Sequence, residues 1–269
     1  LDLIAKKIKE TMGKEGPDAV AGICSAKSTN EALYTMQKLF RVGIGTNNLA
    51  SPFAAGGLNN PLSELEKAKR ILLIGSDITE ENPVAGTFVK RASEAGAQLI
   101  VVNSTPTKIG TFANTHLLLK EGTESVLING IMHQLIQRGR TCAEDIEKST
   151  QSYDMAKVTE TTGLTADDIL SAVDILDREE PTMLVYGSKV ASFARTFVAL
   201  QEVLGNLGVP YGGVNYLGDL NNSQGACDMG LLPNFLPGFV PVDDDASRNA
   251  FETAWGTPLN SKPGLRFSE

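Results

Sequence analysis

The chain contains few of the residues that usually carry metal or nucleophile chemistry. Its 269 residues include three cysteines, Cys24, Cys142 and Cys227, which are widely spaced and form no CxxC pair. This odd, scattered set indicates free thiols in a reducing compartment rather than a disulfide framework. Because an iron–sulfur cluster typically takes four thiolates, no cluster is expected within this chain. The two histidines, His116 and His133, form no metal-site or catalytic-triad pattern.

Positive charge and long apolar runs are also scarce. The net charge is −8, which argues against nucleic acid or an anionic membrane surface as a partner. The longest apolar runs, 71–74 and 99–102, are far shorter than the roughly 20 residues of a membrane span. We therefore expect no direct membrane insertion, and a protein that is either free in the cytoplasm or peripheral to a membrane complex.

The residues that are present alternate between strand-like and helix-like patterns. Continuous apolar runs at 70–75 and 98–103 flank a helical pattern that begins at Pro83, which predicts a βαβ unit with a parallel sheet. A third strand is predicted at 182–187. Ligands of such sheets bind at the carboxyl ends of the strands, near helix N-termini that favour phosphate. No GxGxxG sequence occurs, so an ordinary NAD fingerprint is not supported.

The most unusual stretch is 218–230, where glycines, side-chain amides and two aspartates replace the expected core residues. Glycine allows close backbone approach to a ligand, and amides offer donors and acceptors together. Composition alone leaves two interpretations open: a loop that wraps a large polar ligand, or a glycine-rich surface turn.

The order of residues in and around this stretch resembles the molybdopterin oxidoreductase family, and within it the large subunit of formate dehydrogenases. The resemblance rests on Leu204-Gly-Asn-Leu-Gly208, Gly212-Gly-Val-Asn215, Asn221-Asn-Ser-Gln-Gly-Ala-Cys-Asp-Met-Gly230, Pro233 and Leu236-Pro-Gly-Phe239. It covers almost the whole chain and is strongest in 204–239. It implies an α/β fold of two Rossmann-like domains with mainly parallel sheets. The first would combine residues 1–48 with 181–269, and the second would be inserted as 49–180.

The same resemblance implies a molybdopterin guanine dinucleotide, carrying molybdenum or tungsten, that takes two electrons from a substrate. Iron–sulfur clusters would lie outside this chain, in other domains of the same polypeptide, and electron-transfer subunits would be partners. The first residue is not Met, and we expect a piece of a longer polypeptide. The expected cofactor contacts are Gly75, Ser76, Asp77, Asn103, Gly122, Thr123, Gly187, Asn221, Asn222, Gln224 and Asp228.

The chain departs from the family pattern at three places. Residues 48–60 look shortened and contain neither the cysteine or selenocysteine nor the histidine that active formate dehydrogenases carry, so no catalytic or metal-binding residue is named. Asn103-Ser-Thr-Pro106 stands where the family usually has Asp-Pro-Arg. Lys189 replaces a glycine-type position, and it could bind a phosphate or fill vacated space.

These departures keep a second hypothesis open. The chain could instead be a degenerate structural domain without metal, like the molybdopterin-type domain of the large iron–sulfur subunit of NADH dehydrogenase. The retained loop 221–230 argues against complete loss of a ligand. The missing Asp-Pro-Arg and the short 48–60 segment favour the hypothesis of a degenerate domain.

Overall fold

A computed structural model describes residues 1–51, 60–218 and 220–266. The strands, in chain order, are β1 (Gly22–Ile23), β2 (Leu49–Ala50), β3 (Arg70–Ile74), β4 (Gln98–Asn103), β5 (Thr115–Leu118), β6 (Thr182–Gly187), β7 (Val214–Leu217), β8 (Phe235–Leu236) and β9 (Val240–Pro241). The α-helices are α1 (Asp2–Glu15), α2 (Asn30–Lys38), α3 (Ile78–Glu81), α4 (Pro83–Glu94), α5 (Glu124–Gln137), α6 (Glu144–Thr150), α7 (Met155–Thr162), α8 (Ala166–Leu176), α9 (Ala194–Val203), α10 (Ser223–Asp228) and α11 (Asp245–Trp255).

The chain divides into two compact units, one formed by Leu1–Gly56 with Leu220–Glu269 and the other by Gly57–Asp219. This division differs from the domain boundary expected at residue 181. β6 pairs in parallel with β3, with Leu184 opposite Leu72, and β7 pairs with β6, so both strands belong to the second unit. The boundary expected at residue 49 also moves, because β2 pairs with β1 in the first unit.

The second unit contains a five-stranded parallel sheet in the order β5-β4-β3-β6-β7. All five residues of β3 are buried, as expected for a parallel strand covered on both faces. Side chains alternate between the two faces with period two. Leu72 and Ile74 pack in the cluster that includes residues of α5, α7, α8 and α9, whereas Ile71 and Leu73 pack in the cluster that includes residues of α4. The α/β class with a mainly parallel sheet is thereby confirmed.

The strand order has a functional consequence. Counted from β3, the first strand of the unit, the chain builds the sheet outward through β4 and β5 and then returns to place β6 on the other side of β3. In doubly wound sheets this reversal opens a crevice beyond the carboxyl ends of the two central strands, and ligands bind there. The crevice of this unit therefore lies beyond Ile74 and Gly187, the last residues of β3 and β6.

The first unit is smaller in sheet content, with one parallel pair, β1–β2, and one antiparallel pair, β8–β9. Its core joins Leu33 and Phe40 to Ala226 and Leu231. Part of the stretch expected to be an open loop is therefore helical, as α10. The physical reason is that Gly225, Ala226 and Cys227 are small enough to be buried in this helix. Residue 219 of that stretch lies outside the described part of the chain.

Among the described residues, no helix combines the length and the apolar character that a bilayer crossing would need.

Candidate functional site

A cleft of about 380 Å³ lies at the carboxyl ends of β3, β4 and β6 in the second unit. It occupies the crevice that the strand order predicts. Its lining comes from the segments that directly follow these strands and from the turn that precedes α5. The lining residues are Gly75, Asp77, Glu80, Glu81, Asn103, Ser104, Thr105, Thr107, Glu121, Gly122, Glu124, Lys189, Val190 and Phe193.

Two glycines bring the ends of β3 and β6 together. Gly75 has φ +62°, a left-handed conformation that side chains rarely adopt. Gly187 lies directly against it: a Cβ on Gly187 would be 2.6 Å from the carbonyl oxygen of Gly75 and 3.0 Å from the Cβ of Ser76. Glycine at position 187 therefore allows the ends of β3 and β6 to approach closely beside the cleft.

A short hydrogen-bond network fixes the loop after β3. The side-chain amide of Asn103, at the end of β4, donates to the carbonyl oxygen of Ser76 at 3.1 Å. The buried Ser76 hydroxyl donates to Oε2 of Glu81 at 2.7 Å. Asn103 thus fixes the backbone of Ser76, just after the end of the neighbouring strand β3.

Negative charge dominates the cleft. Five carboxylates line it, and Lys189 is the one cation among the lining residues that the structure describes; the acidic residues are Asp77, Glu80, Glu81, Glu121 and Glu124. Lys189 is itself paired, with its Nζ 3.1 Å from Oε1 of Glu81. A ligand rich in N–H and O–H donors suits this surface better than a multiply charged anion does.

Two buried polar atoms in the cleft lack a partner within the protein. Glu124 is 5% exposed, in the first turn of α5, and its Oε2 makes no hydrogen bond. The hydroxyl of Thr107 is buried and likewise without a partner. An unsatisfied buried polar group costs about 1–3 kcal/mol, more when charged, so such atoms are usually satisfied by a ligand or water. Because both residues line the cleft, these atoms favour a ligand group that donates hydrogen bonds.

The structure brings seven of the expected contact residues together in the second unit. Gly75, Asp77, Asn103 and Gly122 line the cleft. Ser76 joins the network just described, and Gly187 abuts Gly75. Thr123 holds the N-cap position of α5 without a side-chain capping bond, and its hydroxyl donates to the carbonyl oxygen of Lys120.

The other four expected residues lie in the first unit and do not line this cleft; they are Asn221, Asn222, Gln224 and Asp228. The amide of Asn222 donates to the carbonyl oxygen of Ser28 and to Oδ1 of Asn30, each at 2.9 Å. Gln224 donates to Oδ1 of Asp228 at 2.8 Å. Asn222 thereby links the start of α10 to the start of α2.

Sequence reasoning did not select three residues that the geometry makes prominent: Glu81, Thr107 and Glu124. Glu81 and Thr107 follow the predicted strands 70–75 and 98–103 by a few residues, which was the available signal, whereas Glu124 follows β5. Their burial and their partners depend on the packing of neighbouring strand ends, which a linear pattern does not contain.

The described residues contain no grouping of side chains that could hold a metal ion, and the thiol of Cys227 is buried. Across 1–51, 60–218 and 220–266, no group of three or more His, Cys, Asp or Glu side chains is arranged to hold a metal ion. Burial, together with the charge of Asp228, raises the pKa of Cys227 to about 11, which keeps this thiol protonated at neutral pH. The shortened 48–60 segment lies mostly outside the described residues, since 52–59 are not among them.

A parallel sheet of this order, with a polar cleft at the reversal of strand order, defines a doubly wound α/β unit of the kind that holds nucleotide-like ligands. The chain belongs to the molybdopterin oxidoreductase family, whose model matches residues 1–269.

Relatives in this family include several formate dehydrogenases. The chain is 30% identical to formate dehydrogenase H of Escherichia coli, covering all of this chain and 42% of the relative. It is 33% identical to the F420-dependent formate dehydrogenase 2 subunit alpha of Methanococcus maripaludis, covering all of this chain and 44% of that protein. It thus spans less than half the length of these relatives. Their names do not favour the alternative of a structural NADH dehydrogenase domain.

A more distant relative is the assimilatory nitrate reductase catalytic subunit of Bacillus subtilis, 27% identical over 98% of this chain and 42% of the relative. Among solved structures, acetylene hydratase from Pelobacter acetylenicus superposes with a TM-score of 0.58 at 23% identity, over 76% of this chain and 32% of the other. That likeness supports the fold alone.

Proposed function

We propose that this chain is the cofactor-binding part of a formate dehydrogenase-like oxidoreductase subunit, and that the cleft of its second unit holds the nucleotide end of a molybdopterin guanine dinucleotide. The observation that carries the proposal is the buried, unpartnered carboxylate oxygen of Glu124 in a cleft at the reversal of strand order. Family membership and the formate dehydrogenase relatives support the choice of cofactor.

The donor set fits the nucleoside part of this cofactor. Guanine presents an N–H and an amino group side by side, and Glu124 and Thr107 offer unpartnered oxygens to such donors. The carboxylates of Asp77 and Glu121 are acceptors suited to ribose hydroxyls. The cleft offers fewer partners to a phosphate group, since Lys189 is the one cation among the described lining residues. The backbone N–H of Gly122 is a further candidate for a phosphate contact, whereas that of Gly75 already donates to the carbonyl oxygen of Val102 at 2.9 Å.

When bound, the cofactor would supply the two-electron redox chemistry through molybdenum or tungsten, while the protein supplies binding and orientation. The residues of this chain have positioning roles. Asn103 holds the loop after β3, Gly187 keeps the strand ends close, and Glu124 and Thr107 orient the base. For Asn221, Asn222, Gln224 and Asp228, which lie in the first unit, cofactor contact remains a separate proposal. Electron transfer would proceed through iron–sulfur clusters and partner subunits outside this chain.

The test is to purify the protein from a host that makes the cofactor and measure its GMP, pterin and metal content. Acid hydrolysis should release about one GMP and one pterin per protein, with stoichiometric molybdenum or tungsten, and a formate-oxidation assay would follow. Pterin and GMP without metal would leave nucleotide binding intact but remove the redox role. Neither pterin nor GMP would contradict the proposal.

A further inference from the structure

The two segments that flank the crevice are joined by one ion pair. Glu81 ends α3, which follows β3, and Lys189 lies in the short helical segment Ser188–Phe193, which follows β6. The Nζ of Lys189 is 3.1 Å from Oε1 of Glu81, while Oε2 of Glu81 accepts the Ser76 hydroxyl at 2.7 Å. Both oxygens of Glu81 are therefore engaged, and both residues line the cleft.

The two partners are held to different degrees. The side chain of Glu81 is 27% exposed and anchored by the buried Ser76, whereas that of Lys189 is 72% exposed. Lysine carries a compact charge on a flexible stem, and an exposed ion pair contributes at most about 1 kcal/mol. Lys189 is consequently the partner that can exchange one anion for another. The carboxylate of Glu81 occupies the position beside Lys189 that an incoming anion would take.

The cleft also shows an independent sign of ligand binding. Glu124 is 5% exposed, and its Oε2 is buried without a partner. This carboxylate oxygen can accept a hydrogen bond from a ligand donor, but it does not bind an anion. The cleft therefore has a buried acceptor without a donor, and its one lining cation in the described chain is already paired with Glu81.

We infer that the carboxylate of Glu81 competes with a ligand phosphate for Nζ of Lys189. The cleft therefore recognises the nucleoside part of its ligand and favours a nucleotide only weakly over the unphosphorylated nucleoside. This inference rests on the proposed nucleotide site. In it, a nucleotide phosphate binds by replacing the carboxylate of Glu81 at Nζ of Lys189, and Glu81 keeps the Ser76 hydroxyl. Glu81 is thus a specificity-determining residue.

Titration calorimetry of the full chain with guanosine and with GMP tests this inference. The variant is Glu81→Gln, which removes the charge but keeps an oxygen to accept the Ser76 hydroxyl. The matched control is Glu80→Gln, the adjacent carboxylate of the same cleft, which pairs with Lys108 at 3.3 Å and not with Lys189. The readout is the ratio of GMP affinity to guanosine affinity, because general changes in folding affect both ligands.

Glu81→Gln should raise this ratio about three- to fivefold, the most that an exposed ion pair of about 1 kcal/mol allows. Glu80→Gln should leave the ratio near wild type, and Glu81→Gln combined with Lys189→Met should abolish the gain. An equal rise in both single variants, or no rise in Glu81→Gln, would overturn the inference and leave the nucleotide site standing. A wild-type chain that binds neither guanosine nor GMP would instead reject the proposed site, and this inference with it.

Discussion

At the residue scale, the buried carboxylate of Glu124 is the most informative single group. Its Oε2 has no partner in the protein although the residue is 5% exposed. We expect Glu124→Gln to weaken guanosine binding by about 10- to 100-fold, because hydrogen bonds to a charged group contribute about 1.5–3 kcal/mol. Calorimetry measures the loss, and Glu94→Gln, which changes an exposed carboxylate of α4 outside the cleft, is the control. Equal effects of the two substitutions would show that Glu124 has no specific role.

A second residue-scale prediction concerns His116 in β5. Burial lowers the pKa of this imidazole from its usual 6.5, and its Nε2 lacks a hydrogen-bond partner within the protein. Below pH 6.5 the imidazole of His116 is protonated in the unfolded chain, whereas burial keeps it neutral in the folded chain. The free energy of unfolding is therefore highest above pH 6.5 and falls as the pH drops toward the pKa of the folded state. The loss from one proton is at most about 1.4 kcal/mol per pH unit.

Urea unfolding of wild type and His116→Phe between pH 8 and pH 5 measures this difference. The phenylalanine retains a ring over Gly110, against which the imidazole packs. The wild type should lose more free energy of unfolding than the variant over this range. Identical pH dependence in the two proteins would exclude a contribution from His116.

At the element scale, Arg41 connects the two ends of the chain that build the first unit. It lies in the π-helical segment Leu39–Ile44 and is 2% exposed. Its guanidinium donates to the carbonyl oxygens of Gly230, Leu232 and Phe235 at 3.0, 2.9 and 2.7 Å, and to Oδ1 of Asn47. Burial lowers its pKa to about 10, which leaves it charged at neutral pH.

We expect Arg41→Met to destabilise the protein by about 3–5 kcal/mol, since several buried acceptors would lose their donor at once. The exposed pair of Arg138 with Asp174 gives a matched control, and Arg138→Met should cost no more than about 1 kcal/mol. Chemical unfolding followed by circular dichroism compares the two. A loss for Arg41→Met no larger than that of the control would show that the segment 230–235 is held by its apolar contacts alone.

At the scale of the whole molecule, local patterns predict the sheet well and the division into units poorly. The apolar runs at β3, β4 and β6 are visible in the sequence because a parallel strand buried on both faces leaves no polar alternation. The unit to which β6 belongs is not visible, because pairing between Leu72 and Leu184 depends on a contact far along the chain. The division of the chain into units therefore differs from the boundary expected at residue 181.

The candidate site follows the same rule. Gly75, Asp77 and Asn103 were predictable because they follow strands whose carboxyl ends meet at one edge. Glu81 and Glu124 were not, because their importance lies in a pairing with Lys189 and in an unsatisfied oxygen, respectively. The helix α10 was missed because glycine and small residues suit a loop and a closely packed helix equally well.

The measurement that tests the central claim most directly is hydrogen exchange of the full chain, followed by mass spectrometry, with and without saturating guanosine. A nucleotide site at the reversal of strand order predicts slower exchange confined to the cleft segments 75–81, 103–107, 121–124 and 188–193. The segment 207–213, which lines a separate surface cleft in the same unit, should not change. Protection of 207–213 instead, or no protection anywhere, would contradict the placement of the nucleotide in the cleft beyond β3 and β6.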